Sequence, residues 1–229
     1  MSPDPKIADW RAAAAAASGQ TSGDVIYLLF ERTTTEFGIA GHLLDFGAGT
    51  GELARRMRRI GNLESVTCID LLSPPIQTET GLRWDTADLN EKIPYEDQRF
   101  NVIVSSEVIE HLENPRAVVR EWFRLLKPGG WLFFSTPNNE SLRSILALAF
   151  RGHYQAFGND SYPAHITALL HKDMERIVME AGFELKGFRY TNYGLIPKLR
   201  RLSWQRLSMG LLSGKRFSDN VLTVCRRPL

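Results

Sequence analysis

The chain has 229 residues, 43% of them hydrophobic and 24% charged, with 18 Gly and 11 Pro; this composition excludes a disordered, collagenous or coiled-coil protein. Cys68 and Cys225 stand far apart without a Cys-x-x-Cys pair, which excludes a disulfide framework and a cysteine zinc centre and makes a reducing, cytoplasmic setting the default. The net charge is only +2, but up to Glu184 there are 18 basic against 25 acidic residues and from Leu185 onward 10 against 1. A basic tail on an acidic body points to an anionic partner: a membrane surface, a nucleic acid or a phosphorylated substrate.

No repeat or linker divides the chain, so 1–229 reads as one domain: an N-terminal helical cap (1–41), a core (42–136) and a region of insertions and final strands (137–229). Residues Ala12 to Ala17 are too weakly apolar for a secretory leader and read as helix, and no apolar run reaches the roughly 18 residues a membrane span needs. From His42 onward, short apolar runs alternate with segments of helical period. Strands are predicted at His42–Phe46, Ser65–Asp70, Leu82–Ala87, Phe100–Ser106, Trp131–Thr136, Phe183–Thr191 and Val221–Arg226. Val102-Ile103-Val104 and Trp131-Leu132-Phe133-Phe134 are continuously apolar, as expected of strands covered on both faces, so the sheet is mainly parallel and doubly wound. Pro115 to Lys127, with Pro in the first turn and Lys-Pro-Gly-Gly as the stop, is predicted to be the crossover helix between the fourth and fifth strands. The relative direction of the last two strands does not follow from the pattern.

The strongest local signal is Leu43-Leu44-Asp45-Phe46-Gly47-Ala48-Gly49-Thr50-Gly51, a strand breaking into a glycine turn that opens a helix. Such a turn lets a ligand approach the backbone and the free amides of the helix start. The spacing is Gly-x-Gly-x-Gly rather than the dinucleotide Gly-x-Gly-x-x-Gly. Asp45 lies just before it, where a carboxylate suits an amine-bearing ligand better than a pyrophosphate. Asp70 ends the second predicted strand, placed to hydrogen-bond a ribose, and Asp88 follows the third. Acids at three successive strand ends predict a crevice at the carboxyl edge of the sheet.

These motifs, with Ser105-Ser106-Glu107-Val108-Ile109-Glu110-His111-Leu112, Leu126-Lys127-Pro128-Gly129-Gly130 and Glu180-Ala181-Gly182-Phe183, resemble those of the class I S-adenosylmethionine-dependent methyltransferases from about His42 onward. The resemblance implies a seven-stranded Rossmann-like sheet with an antiparallel last strand. It also implies S-adenosylmethionine held by Asp45, Gly47, Ala48, Gly49, Gly51, Asp70, Leu71, Asp88, Leu89 and Ser105, with Asp70 on the ribose and Asp88 and Leu89 beside the adenine.

The Glu107–His111 segment is similar to its counterpart in ubiquinone-biosynthesis O-methyltransferases and in small-RNA 3′-terminal 2′-O-methyltransferases. If the chain is helical there, Glu107, Glu110 and His111 share one face and can ligate a divalent cation, magnesium, manganese or zinc. His165 resembles the fourth ligand of the RNA enzymes. The alternative is that the two glutamates cap a helix start while His111 acts as a lone base, suited to that role by a pKa near neutrality. The stretch holding Arg151, His153, Tyr154, Phe157 and Tyr162 has the character of a lid.

Apolar Ile196, Leu199, Leu202, Leu207 and Leu211 recur at near-helical spacing among Lys198, Arg200, Arg201 and Arg206. This predicts a basic amphipathic helix within 196–216, which either packs on the sheet or touches a membrane. The expected activity is methyl transfer to a hydroxyl of a small molecule, a lipid-linked compound or a glycan. RNA ribose methylation and a non-catalytic cofactor-binding module are the alternatives.

Overall fold

The computed structural model describes residues 5–60, 62–73 and 81–229, apart from the side chains of 200 and 201. Two helices, α1 (Pro5–Ala17) and α2 (Asp24–Glu36), precede the first strand, β1 (Ala40–Phe46). There follow α3 (Glu52–Ile60), β2 (Asn62–Asp70), β3 (Leu82–Thr86), β4 (Phe100–Ser106), α4 (Pro115–Leu125) and β5 (Leu126–Pro137). The rest comprises α5 (Leu142–Arg151), α6 (His171–Glu180), β6 (Glu184–Tyr190), a hairpin of β7 (Leu195–Ile196) and β8 (Leu199–Ser203), the single turn α7 (Trp204–Leu207) and β9 (Asn220–Arg226).

Seven strands form one sheet in the order β3-β2-β1-β4-β5-β9-β6. The first five are parallel, and β9 runs antiparallel to both β5 and β6. This is the mainly parallel sheet expected, with the final strand reversed as the resemblance implied. The continuously apolar strands have the predicted cause. Leu44, Ile103 and Phe134 pack on one side with Trp122 of α4 and Val178 of α6. Their neighbours Leu43, Val104 and Phe133 pack on the other with Phe30 of α2 and Met57 of α3. Period-two alternation thus feeds two cores at once. Each fully buried side chain of this size contributes about 1.5–3 kcal/mol.

Two expectations are corrected. The crossover helix starts at Pro115, capped by the Asn114 side chain accepting from Ala117 N at 3.1 Å, but it ends at Leu125, and Leu126 to Gly130 already belong to β5. The basic amphipathic helix within 196–216 does not form. Leu195 pairs with Ser203 and Ile196 with Leu199 across a tight hairpin, with Lys198 in the left-handed region at φ 66°. Pro197, which has no N–H to give a helix, and that turn override the near-helical spacing of the leucines. The Arg200 and Arg201 side chains lie outside the described residues. Among the described residues no helix is long and apolar enough to cross a membrane.

Several of the tail's cations pair with groups of the same chain at the surface. Arg189 pairs with Glu36, Lys186 with Glu184 and Lys215 with Glu140. Arg216 donates to the Glu140 carbonyl, and Arg227 to those of Phe123 and Leu126.

Candidate active site

The carboxyl edge of the parallel strands opens into a cleft of about 650 Å³, in the usual size range of small-molecule sites. Asp45, Gly47, Ala48, Gly49, Asp70, Leu71, Asp88 and Leu89 all line it. Gly51 and Ser105 do not: the Gly51 N–H closes the turn onto Ala48 O at 2.7 Å, and the Ser105 hydroxyl donates to Phe46 O at 2.9 Å behind the wall.

The turn between β1 and α3 is held from outside. Gly47 and Ala48 donate to Ile69 O, and Gly49 N–H donates to Asp70 Oδ2 at 2.8 Å while Leu72 N–H donates to Oδ1. Asp70 therefore shapes the turn, and with two of about four acceptor positions in use it has capacity left for ribose hydroxyls. The glycines serve the protein's own packing as well as a ligand. A Cβ at Gly47 would lie 2.4 Å from Val108 Cγ2, and one at Gly49 2.2 Å from the Gln20 carbonyl oxygen.

Asp45 is 1% exposed and accepts from Ala54 N–H at the start of α3. Burial pushes its carboxyl up to about 7, against the pull of that hydrogen bond and helped by the negative charge of Asp70. Because the folded value lies above the unfolded value of 3.8, this group's contribution to stability is present below pH 4 and lost as pH rises through 7. Asp45→Asn, which keeps the acceptor oxygen, is therefore expected to raise the melting temperature of the ligand-free protein at pH 8 and to raise it by less than half as much at pH 5. Equal shifts at both pH values in paired thermal melts would rule out the buried charge as the cause.

The N-terminal cap contributes a residue the sequence did not single out. Arg11 of α1 reaches Asp88 at 2.7 Å, Glu91 at 2.9 Å and Glu113 by two nitrogens, at 2.7 and 2.9 Å. Trp10 and Arg11 place α1 across the cleft. No residue of α1 is buried, and this charge network ties it to the edge of the cleft.

Beyond β4 the chain does not continue as an α-helix. Glu107 takes φ 56°, and only Ile109–His111 make one 3₁₀ turn. Glu107, Glu110 and His111 thus do not share a helical face. The Glu107 carboxyl turns away to Ser135 Oγ and Asn220 Nδ2, each at 2.8 Å, and burial pushes it up to about 7. What does converge is Glu110, His111 and His165, whose ligand-type atoms lie within 4.8 Å of one another. Backbone contacts bring the distant His165 there. The Glu110 carbonyl accepts from Ile166 and Thr167 N–H, Thr167 Oγ1 donates to Leu112 O, and His111 Nδ1 bonds the Ala164 carbonyl at 2.8 Å. A carbonyl only accepts, so Nδ1 carries the proton and the neutral ring keeps its lone pair on Nε2. Burial lowers the pKa of both histidines, and His111 lowers that of His165 further. Glu110 is fully buried with no hydrogen-bond partner on either oxygen, and burial together with Glu107 holds it well above the ordinary carboxylate range. Of the lid-like stretch, Tyr162 lines the cleft and Phe157 packs on the His165 ring; Arg151, His153 and Tyr154 are not among its lining residues.

A sheet in this order, with a glycine turn and strand-end acids around one cleft, defines the S-adenosylmethionine-dependent methyltransferase class. The chain belongs to the methyltransferase-domain family, whose profile matches residues 6–186. It is 29% identical over 171 residues to the ubiquinone biosynthesis O-methyltransferase of Thiobacillus denitrificans, covering 70% of this chain and 72% of that one. Against the protein of the same name from Pseudomonas fluorescens the identity is 37% over 123 residues, 48% of this chain and 51% of the relative. Among solved structures, a SAM-dependent methyltransferase from Archaeoglobus fulgidus superposes with a TM-score of 0.60 at 16% identity, covering 91% of this chain and 96% of that one; at such identity the likeness shows the fold alone.

Proposed function

We propose that the chain methylates a hydroxyl of a small-molecule, lipid-linked or glycan acceptor, with His111 as the general base. The observation that carries this reading is the contact of His111 Nδ1 with the Ala164 carbonyl at 2.8 Å: the imidazole lines the cleft, burial lowers its pKa, and a neutral ring that donates from Nδ1 leaves its lone pair on Nε2. S-adenosylmethionine, when bound, supplies an electrophilic methyl group. The protein's part is to hold donor and acceptor in line and to remove the acceptor's proton. In this reading Asp70 takes the ribose hydroxyls, Asp88 and Leu89 flank the base, and Asp45 and the 47–49 turn meet the amine-bearing end. An oxygen acceptor is also what the names of these O-methyltransferase relatives state for those proteins. Labelled methyl transfer to a hydroxylated acceptor panel tests the reading; products methylated only on nitrogen, sulfur or carbon would refute it.

The Glu110 oxygens, buried without a hydrogen-bond partner, favour a second reading, in which a divalent cation takes the His111 Nε2 lone pair and His111 is a ligand instead of the base. A buried carboxylate without partners is stabilised either by a proton or by a metal, and Glu110, His111 and His165 offer a mixed oxygen and imidazole set that suits magnesium, manganese or zinc. Glu107 stands outside that set. A bound cation would lower the pKa of an acceptor hydroxyl, leaving less work for a base. If the cation is present, metal content measured on the purified protein is expected near one equivalent, and His165→Ala is expected to remove it with at least about a tenfold fall in turnover. Unchanged metal content and turnover in that variant would exclude His165 as a ligand. RNA ribose methylation has less support, because Lys186, Arg189, Lys215, Arg216 and Arg227 are paired with groups of the same chain.

A further inference from the structure

A second, smaller cavity of about 190 Å³ lies beside His165. Glu107 and His165 line both it and the main cleft, so the two share a wall. The remaining walls come from the end of β5, the start of α5 and the start of β9, where the sheet's antiparallel strand brings Asp219 and Asn220 beside Asn138 and Asn139. Ten of its twelve lining residues are polar, although much of the surface they turn toward it is carbon.

Three of these groups have hydrogen-bonding capacity that the protein does not use: His165, whose Nδ1 is buried without a partner, Asn139 and Arg143. Asn139 is 2% exposed; its Nδ2 donates to Leu169 O at 3.0 Å, while Oδ1 has no partner. Arg143 pairs with Asp219 through Nη1 at 2.8 Å, and its other guanidinium nitrogens have no partner among the described residues. Buried polar groups are ordinarily satisfied, and one left bare carries the full cost of its desolvation. A hydrocarbon in this chamber would leave the buried Asn139 oxygen bare, whereas Arg143, a quarter exposed, also reaches solvent. An anion would meet the Asp219 and Glu107 carboxyls beside the one guanidinium. A hydroxyl both donates and accepts, and so serves the Asn139 oxygen and the Arg143 N–H groups alike without adding charge. At about 30 Å³ for each water's share of liquid, the chamber has the volume of roughly six waters, room for one compact ring with its hydroxyls and not for a chain.

We infer that this chamber receives the non-reacting hydroxyls of the methyl acceptor, and that the acceptor is a neutral, polyhydroxylated ring of the sugar type. The inference rests on the hydroxyl-transfer reading above and narrows it. The acceptor then spans the wall between the two cavities, with one hydroxyl at His111 and its neighbours among Asn139, Arg143 and Gln155.

The test is binding, measured by saturation-transfer NMR on protein loaded with S-adenosylhomocysteine, with a panel of methyl hexopyranosides and with catechol as the aromatic diol. Glycosides are expected to bind. Arg143→Met and Gln155→Leu are each expected to weaken them about tenfold, while leaving the S-adenosylhomocysteine Kd and the melting temperature near wild type. The second variant sits on a connection outside the sheet and keeps the test intact if the first fails to fold. Absence of glycoside binding, binding unchanged in the folded variants, or binding of catechol alone would overturn the inference. The hydroxyl-transfer reading fails by a different sign: glycosides bind and depend on Arg143, yet none is methylated on oxygen.

Discussion

His111→Asn is expected to lower kcat by about two to four orders of magnitude, the usual range for loss of a positioned general base, while S-adenosylhomocysteine binds within roughly threefold of wild type. Asparagine is the informative replacement because its Nδ2 can still donate to the Ala164 carbonyl that His111 Nδ1 now holds at 2.8 Å. The 162–166 segment, and with it His165, then stays in place, and the variant removes the Nε2 lone pair rather than the architecture. His111→Ala, which also gives up that contact, is expected to lose as much turnover and some stability besides. A kcat near wild type in the asparagine variant, in an assay that follows single-turnover methyl transfer, would remove His111 from the chemistry and leave the neighbouring Glu110 and His165 as the groups to test.

Gly49→Ala is expected to cost at least about tenfold in S-adenosylhomocysteine affinity through lost pre-organisation. It is also expected to lower Tm by roughly 4–8 °C, from about 2 kcal/mol of strain in a chain of this size. Gly49 sits at φ 52°, which alone disfavours a side chain. The larger effect is local contact. The added methyl would lie 2.2 Å from the Gln20 carbonyl oxygen, the same atom that accepts the Thr50 N–H at 3.0 Å. Backbone cannot rotate out of the way as a side-chain end can, so the 18–23 segment must move. Ser18, Gln20, Thr21 and Ser22 of that segment line the cleft, and the site loses a wall. Gly210→Ala is the control: Gly210 is at φ 88° with nothing within 4 Å of an added Cβ, so it is expected to show the strain in Tm and no change in cofactor affinity. Similar affinity losses in both would mean that the contact at Gly49 is irrelevant.

The strands were legible because each is specified by a local apolar run. The predicted and observed limits of β4 coincide at Phe100–Ser106, and the neighbours Ile103 and Val104, both 0% exposed, report burial on two faces directly. The glycine turn and its three acids were legible for a similar reason. A strand end, a turn and a helix start are consecutive in the chain, and parallel pairing then places Asp45 opposite Cys68 and Asp70 opposite Thr86, at one edge. The Ile196–Leu212 region misled because a near-helical spacing of apolar residues is a weak constraint beside Pro197 and a left-handed Lys198, which turn the chain back on itself. Glu107 misled in the same way. Its positive φ turns its carboxyl from the helix face the spacing suggested to Ser135 and Asn220, 28 and 113 residues away.

By itself, then, the sequence determined the doubly wound sheet and the edge at which the cleft opens, since both follow from period, spacing and short-range turns, while the cofactor class came from the resemblance its motifs carry. Only the tertiary structure decided the rest. It joined Arg11 to Asp88, Glu91 and Glu113 across 77 to 102 residues, and it seated His165 beside Glu110 and His111 through backbone bonds from a distant loop. It also closed the polar chamber with residues from both sides of the reversed strand. Those contacts depend on how loops of irregular backbone pack over the sheet edge, and no local pattern records which polar groups such packing will leave buried, paired or bare.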